Sequence, residues 1–434
     1  MKLIHPAKAK GKTIVAVVGA GFAGFNAVKA LANKRDVQVL LIDERNHHLF
    51  QPLLYQVATA GLDPSDIAVP IRAQFSKNSN VEIYMEKVER VHLKQKLISN
   101  SSALELKKPI HLEYDYLILA CGARHSYFGK PQWEEFAPGL KTLEQAIEIR
   151  TRILSIYERA ESEINPVLRS ALLCFVVVGG GPTGVELAGA IADISKTVLL
   201  HDFRNIDPSQ TKIILVEAGP RILSQFSDDL SLTAIKDLES LGVDVRVSTR
   251  VEDITSEGVR TSKEFIKSRC VLWAAGVQAS PILFDEDVAR DGAGRIIVNR
   301  DLSIPGFPEV FVTGDLAAIQ WRDDLWVPGL APAAIQAGRY AAKKILASIK
   351  GKTVEDFKYF DKGLMATIGK NRAIVEAGRF KMTGFLAWLA WFIIHVLYLV
   401  GFKNRVAVMV QWTWSYLFSK RGARLITENE WRLK

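Results

Sequence analysis

The sequence predicts an α/β protein built from two parallel-sheet units of one design, followed by an apolar, basic, helical C-terminal segment. Three observations predict it. An apolar run ending in GxGxxG occurs twice: residues 13–24 read Thr-Ile-Val-Ala-Val-Val-Gly-Ala-Gly-Phe-Ala-Gly, and residues 173–184 read Leu-Cys-Phe-Val-Val-Val-Gly-Gly-Gly-Pro-Thr-Gly. Continuous apolar strands at 14–18, 116–120, 174–178 and 213–216 are what a sheet buried on both faces needs. Helical stretches at 22–33, 143–163, 184–195 and 229–241 alternate with them, as in parallel βαβ units. The two copies lie 160 residues apart, so they mark two domains rather than short repeats.

A length of 434 residues accommodates about two to three domains. A composition 48% hydrophobic and 24% charged excludes disorder as the main state. Three cysteines, none in a CxxC pair, exclude a disulfide scaffold, a zinc ribbon and a thioredoxin-type dithiol. The 12 residues before the first strand are basic rather than apolar, so no signal peptide is expected. The net charge is +9, of which residues 381–434 carry +6. That tail has eight basic side chains (Lys381, Lys403, Arg405, Lys420, Arg421, Arg424, Arg432, Lys434) against Glu428 and Glu430. It also has five of the nine tryptophans: Trp388, Trp391, Trp412, Trp414 and Trp431. A basic, Trp-rich, apolar tail suits a membrane surface, not a nucleic acid.

In the first copy, Gly19 makes the tight turn after the strand. Gly21 lets a pyrophosphate approach the backbone, and Gly24 lets the helix pack closely on the strand. The helix N-terminus then offers amide donors and a positive dipole end to phosphates. Asp43 closes the next strand, Val37–Ile42, 24 residues after Gly19, where a carboxylate accepts from a ribose diol. This is a Rossmann-like dinucleotide site. The second copy uses Gly179, Gly181 and Gly184, and its acid is Glu217 at the end of Lys212–Val216. The spacing there is 38 residues, and an insertion around 194–210 accounts for the excess. A carboxylate at that position favours NADH over NADPH, and Arg221, four residues on, softens the preference. A third signal assigns FAD to the first cradle. Gly314-Asp315 follows the apolar strand Val310–Thr313, and Leu330-Ala331-Pro332 starts a helix running to about Leu346. Such an element returns to complete the first domain, where Asp315 can hold a ribityl hydroxyl and the helix N-terminus can face a flavin.

These residues carry a resemblance. The paired fingerprints, the segment Tyr114-Asp115-Tyr116-Leu117-Ile118-Leu119-Ala120-Cys121-Gly122 and the late Thr313-Gly314-Asp315 resemble two-dinucleotide flavoproteins of the glutathione-reductase-like fold, most of which have Thr in place of Cys121. The stretches DERNHHLFQPLLYQVA (43–58), GGGPTGVELAG (179–189) and GFKNRVAVMVQWTWSYLFSKRGARLIT (401–427) resemble type II NADH:quinone oxidoreductases. The resemblance implies non-covalent FAD on Gly19, Gly21, Gly24, Asp43, Gly122, Gly314 and Asp315, and NADH as substrate on Gly179, Gly181, Gly184 and Glu217. It implies a quinone acceptor and no metal. Glu186 matches a family glutamate near the flavin, and Lys370 a family lysine at the quinone end. The family's AQxAxQ signature reads Ala331-Pro332-Ala333-Ala334-Ile335-Gln336 here; Pro332 replaces the first glutamine and leaves Gln336. The implied division is an FAD-binding domain at 1–140 and 288–350, an NADH-binding domain at 141–287 and a membrane-anchoring region at 351–434.

Each candidate has a plainer reading. Glu186 is also a first-turn acid favoured by the helix dipole, and Lys370 a solvated turn lysine. His47 and His48 have no partners at metal spacing, so polar packing beside the flavin is expected. Cys121, Cys174 and Cys270 lie on apolar strands as buried thiols, and His395 is expected as a packed or interfacial residue. Residues 382–402 contain no Lys, Arg, Asp or Glu and are long enough to span a core of about 30 Å. Spanning would place the following basic residues opposite the catalytic body, against the positive-inside rule. The expectation is therefore a peripheral, monotopic enzyme on the cytoplasmic face of the cell membrane, with a homodimer possible. Two other readings stay open: a sulfide:quinone oxidoreductase, which needs a redox-active cysteine pair, and an NADH-sensing flavoprotein that acts through partners.

Overall fold

The computed structural model describes residues 11–101, 111–322, 325–418 and 423–426. Lys420, Arg421, Glu428, Glu430, Trp431, Arg432 and Lys434 lie outside the described residues. The chain forms two compact units, one of 1–48, 69–124 and 277–362, the other of 49–68, 125–276 and 363–434.

The first unit holds a six-stranded sheet. Its order is Ser303–Ile304, Phe307–Val312, Tyr116–Leu119, Thr13–Val18, Val37–Asp43, Val81–Met85. All neighbours are parallel except the Ser303–Ile304 edge. The central strands are buried on both faces, with Ile14, Val15, Ala16 and Val17 at 0% exposure, which explains their unbroken apolar sequence. The late strand returns as expected: Val310, Phe311 and Val312 pair with Leu117, Ile118 and Leu119. The helix after it, Ala331–Ile349, lies on Phe22–Leu31, and a Cβ on Gly338 would come within 2.1 Å of the Ala23 carbonyl oxygen.

The second unit repeats the design with four parallel strands in the order Val243–Arg246, Lys212–Val216, Cys174–Val178, Cys270–Trp273. The insertion after Asp193 folds onto the helix Leu143–Ser162. There the Glu161 carboxylate accepts from the backbone N–H groups of Arg204, Asn205 and Ile206, and Phe203 stacks on Tyr157 at 5.9 Å. This absorbs the extra residues before Glu217 without disturbing the sheet.

The C-terminal region, expected to stand apart from residue 351, groups with the second unit from Gly363 onward. Its antiparallel sheet (Leu364–Gly369, Arg372–Ala377, Phe380–Thr383) packs on the helix Pro182–Asp193. The approach is close because position 189 is glycine: a Cβ there would lie 1.8 Å from the Ile368 carbonyl oxygen. Two helices follow, Gly384–Tyr398 and Phe402–Phe418. In the first, Ala387, Trp391 and His395 recur every four residues on a buried face, while Phe385, Leu386, Ile393 and Leu397 are exposed. The apolar run 382–402 is therefore not one helix. Its 15-residue helix spans about 22 Å, short of a bilayer core of about 30 Å. The chain then turns at Gly401 (φ +91°), and Arg405 donates to the carbonyls of Leu399 and Leu397, both at 2.8 Å. Among the described residues no helix is long and apolar enough to cross a membrane.

Candidate functional site

The two glycine-rich turns match atom by atom, each within its own unit. Gly19 N–H donates to Ile42 and Gly179 N–H to Val216, both at 2.8 Å. Both glycines have positive φ (+98° and +110°), and an added Cβ would strike the neighbouring strand end, at the Ala120 carbonyl oxygen (2.3 Å) or the Ala274 carbonyl carbon (2.8 Å). A Cβ on Gly24 or Gly184 would lie 1.8 Å from the carbonyl oxygen of Gly19 or Gly179. Nothing stands within 4 Å of a Cβ on Gly21 or Gly181. The outer glycines close the turn, and the middle one leaves room for a ligand.

Each strand-end acid reaches back into its own turn. Asp43 Oδ2 accepts from Ala20 N–H and Glu217 Oε2 from Gly180 N–H, both at 2.6 Å. The second oxygens accept from Arg45 N–H (2.7 Å) and Gly219 N–H (2.6 Å). Carboxylate oxygens have further lone pairs, so both acids can still accept from ribose hydroxyls. Burial raises the Asp43 carboxyl above its ordinary range, opposed by its two backbone donors. Arg221 turns to Asp228 and to the Ser224 carbonyl, so its charge is already engaged.

Gly314 and Asp315 open a 3-10 turn in the first unit, with Gly314 at φ +68° and its Cβ position 3.4 Å from Ala23 Cβ. The late element therefore stands at the first cradle. Gly122, at φ +67°, accepts through its carbonyl from Ser280 N–H (3.0 Å). These donors and open faces fit a dinucleotide in the first unit, with a cradle matched to pyrophosphate, an acid for ribose and a late Gly-Asp turn beside it.

Glu186 is half-buried on the helix Pro182–Asp193, and its carboxylate accepts from the backbone N–H of Thr367. Burial outweighs that bond and raises its carboxyl to about 8. Lys370 lies at the hairpin three residues on; its Nζ donates to the Tyr416 carbonyl at 2.9 Å and sits 4.4 Å from that ring's centre. The lysine thus ties the hairpin to the last described helix. Gln336, in the first unit, clasps the Phe360 backbone at two points: Nε2 donates to its carbonyl (2.9 Å) and Oε1 accepts from its N–H (3.0 Å). Sequence reasoning missed the seat of the C-terminal helix. Trp412 Nε1 donates to Gln56 Oε1 (2.6 Å), and Asn404 Nδ2 donates to the carbonyls of Ser65 (2.8 Å) and Asp66 (2.9 Å). The unusual 43–58 and 401–427 stretches, which hold Gln56, Asn404 and Trp412, were the signals there.

The pyridine nucleotide-disulphide oxidoreductase family matches residues 13–338, and the NDH2 C-terminal domain family residues 362–421. Two Mycobacterium tuberculosis proteins, named type II NADH:quinone oxidoreductase Ndh and NdhA, are 41% and 39% identical to this chain. The alignments cover 96% and 98% of this chain and 90% and 91% of theirs. The chain belongs to the type II NADH:quinone oxidoreductases. The enzyme also shares its fold with NDH2 from Plasmodium falciparum, solved in complex with NADH, at a TM-score of 0.87 and 19% identity over 96% of this chain and 100% of that one. The sulfide:quinone oxidoreductase from Aquifex aeolicus aligns at a TM-score of 0.71 and 19% identity, over 94% and 95% of the two chains. Those likenesses are of fold alone.

Thiol chemistry has little support in the enzyme. All three cysteines are free, and burial pushes Cys121 and Cys270 up to about 12 and raises Cys174 too, so the thiols stay protonated. Cys174 and Cys270 lie on adjacent strands, but Cys270 is in register with Phe175, so the two side chains leave opposite faces of the sheet. Among the described residues no group of three or more His, Cys, Asp or Glu is placed to hold a metal ion.

Proposed function

We propose that the chain oxidises NADH and reduces a membrane quinone with FAD held non-covalently in the first unit and NADH in the second, as a peripheral enzyme on the cytoplasmic face. NADH oxidation with quinone reduction is the activity of its family. The observation that supports the two-nucleotide arrangement is the equivalence of the cradles, each open at its middle glycine and each completed by a strand-end carboxylate. Bound FAD supplies the two-electron chemistry between NADH and quinone.

The chain's own residues do the rest. Gly21 and the start of Phe22–Leu31 receive the first pyrophosphate, and Asp43 and Asp315 orient hydroxyl groups. Gly181 and the start of Pro182–Asp193 receive the second, and Glu217 repels a 2′-phosphate. Overall, NADH, one proton and quinone give NAD⁺ and quinol. Glu186 keeps a proton on its carboxyl up to about pH 8 and can supply it. The exposed apolar faces of the two C-terminal helices, with Trp414 and Lys403 on them, lie at the lipid interface, where the quinone is dissolved.

Steady-state oxidation of NADH by the FAD-loaded full chain, with and without added quinone, tests the reading. The rate should depend on quinone, and denaturation should release FAD. A colourless protein that takes up no FAD removes the flavin assignment; quinone-independent turnover removes the acceptor.

A further inference from the structure

The geometry points to His48 as a positioning residue that aims the Gly21 N–H at a bound dinucleotide phosphate. This deepens the proposed function and rests on FAD occupying the first cradle.

His48 is 1% exposed, stacked on Phe25 at 4.3 Å with 16° between the rings, and met edge-on by Phe22 at 5.5 Å. Its Nδ1 lies 2.7 Å from the Ala20 carbonyl oxygen. A carbonyl only accepts, so the ring's proton is on Nδ1. Burial lowers the ring to about 4, which leaves it neutral with that single N–H, and its buried Nε2 has no partner. The Ala20 N–H is held as well, by Asp43 Oδ2 at 2.6 Å. The residue between the first two glycines is thus held at both ends, by an acid and by His48.

The second cradle supplies the control. Gly180 is the equivalent residue, and its N–H is held by Glu217 Oε2 (2.6 Å). Its carbonyl accepts from Leu223 N–H at 2.7 Å. Leu223 has φ +50°, a left-handed conformation that a leucine adopts only at a cost. Two unrelated donors, a histidine ring and a strained leucine amide, therefore hold the same carbonyl in two copies of one motif. The reason lies in the peptide plane. In a trans peptide the carbonyl of one residue and the N–H of the next point in opposite directions. Holding the Ala20 carbonyl turns the Gly21 N–H the other way, and a side chain at Gly21 would meet no protein atom within 4 Å of its Cβ. His48 thereby fixes a phosphate donor before the ligand arrives, which saves ordering it on binding.

The experiment titrates FAD into the full chain and its variants, reading the dissociation constant from flavin fluorescence and unfolding temperature separately. His48→Phe keeps the stack on Phe25 and removes the donor; His48→Asn places an amide N–H near the Nδ1 position and removes the stack. The expected result is a dissociation constant about tenfold higher for His48→Phe, with the unfolding temperature of the FAD-free chain nearly unchanged, and recovery of most of the affinity in His48→Asn. Wild-type affinity in His48→Phe overturns the inference, as does a loss in His48→Asn that exceeds the loss in His48→Phe, which would make the ring a packing residue. If the wild-type chain itself takes up no FAD, the proposed function fails instead.

Discussion

Glu186 and Thr367 are joined by a hydrogen bond from the Thr367 backbone N–H to the Glu186 carboxylate. An acid on the second cradle's helix is thereby anchored to the first strand of the C-terminal sheet. Burial still dominates and raises the carboxyl to about 8 from an ordinary 4.5. At neutral pH the side chain holds a proton, and quinone turnover should decline as pH rises through about 8. Glu186→Gln should retain FAD, slow quinone reduction and remove that limb of the profile. An unchanged profile would return Glu186 to a helix-start acid. The sign for stability runs the same way. The folded state keeps a proton that the unfolded chain releases near 4.5, so this contribution is complete below 4.5 and is lost as pH rises through 8. Thermal unfolding of wild type and Glu186→Gln at pH 6 and pH 9 measures it, with the variant the less pH-sensitive.

The glycines should separate folding from binding. Gly24→Ala and Gly184→Ala push a Cβ to 1.8 Å from a backbone oxygen and should lower the unfolding temperature by several degrees, through overpacking of about 1–3 kcal/mol. Gly21→Ala and Gly181→Ala meet no protein atom within 4 Å and should leave the unfolding temperature almost unchanged. Their effect should appear only with ligand: weaker FAD retention for Gly21→Ala, and a KM for NADH raised about tenfold for Gly181→Ala. A stable Gly181→Ala protein with wild-type KM would remove the second cradle from NADH binding.

Glu217 holds two backbone donors, the Gly180 and Gly219 N–H groups. Glu217→Gln keeps a carbonyl oxygen for one of them and removes the negative charge. The ratio of kcat/KM for NADPH over NADH should rise about tenfold. Because Arg221 is already bound to Asp228, Arg221→Ala should change that ratio little. A large change in the second variant would show that its charge reaches the nucleotide.

The exposed apolar face of the C-terminal helices should be separable from the fold. Leu386 and Leu397 are 64% and 61% exposed on the helix whose other side buries Trp391. A Leu386→Gln/Leu397→Gln protein should keep its unfolding temperature and its activity with a soluble quinone. It should bind anionic vesicles about tenfold more weakly and lose activity with a long-chain quinone. Trp391→Ala should instead lower the unfolding temperature, because it removes a side chain only 2% exposed. Equal vesicle binding by the double variant and wild type would place the lipid contact elsewhere.

The cradles and their acids are legible in the amino-acid sequence. Turn glycines, an apolar strand buried on both faces and an acid at the next strand's end are local features, fixed by sterics over a few residues. Gly19, Gly24, Gly179 and Gly184 had to be glycine whatever surrounded them beyond the next strand. Hydropathy also marked the C-terminal segment as apolar. It did not show that Gly384–Tyr398 buries one side and exposes the other, since nearly every residue there is apolar and the pattern has little contrast. What the long polar side chains do is set by packing between distant elements. Gln336 reaches Phe360, Lys370 reaches Tyr416 and His48 reaches Ala20, 24, 46 and 28 residues away in sequence. Each of these bonds exists because packed elements bring a backbone carbonyl within 3 Å of a side chain that has several rotamers open to it. No local pattern encodes that choice; the surrounding packing makes it.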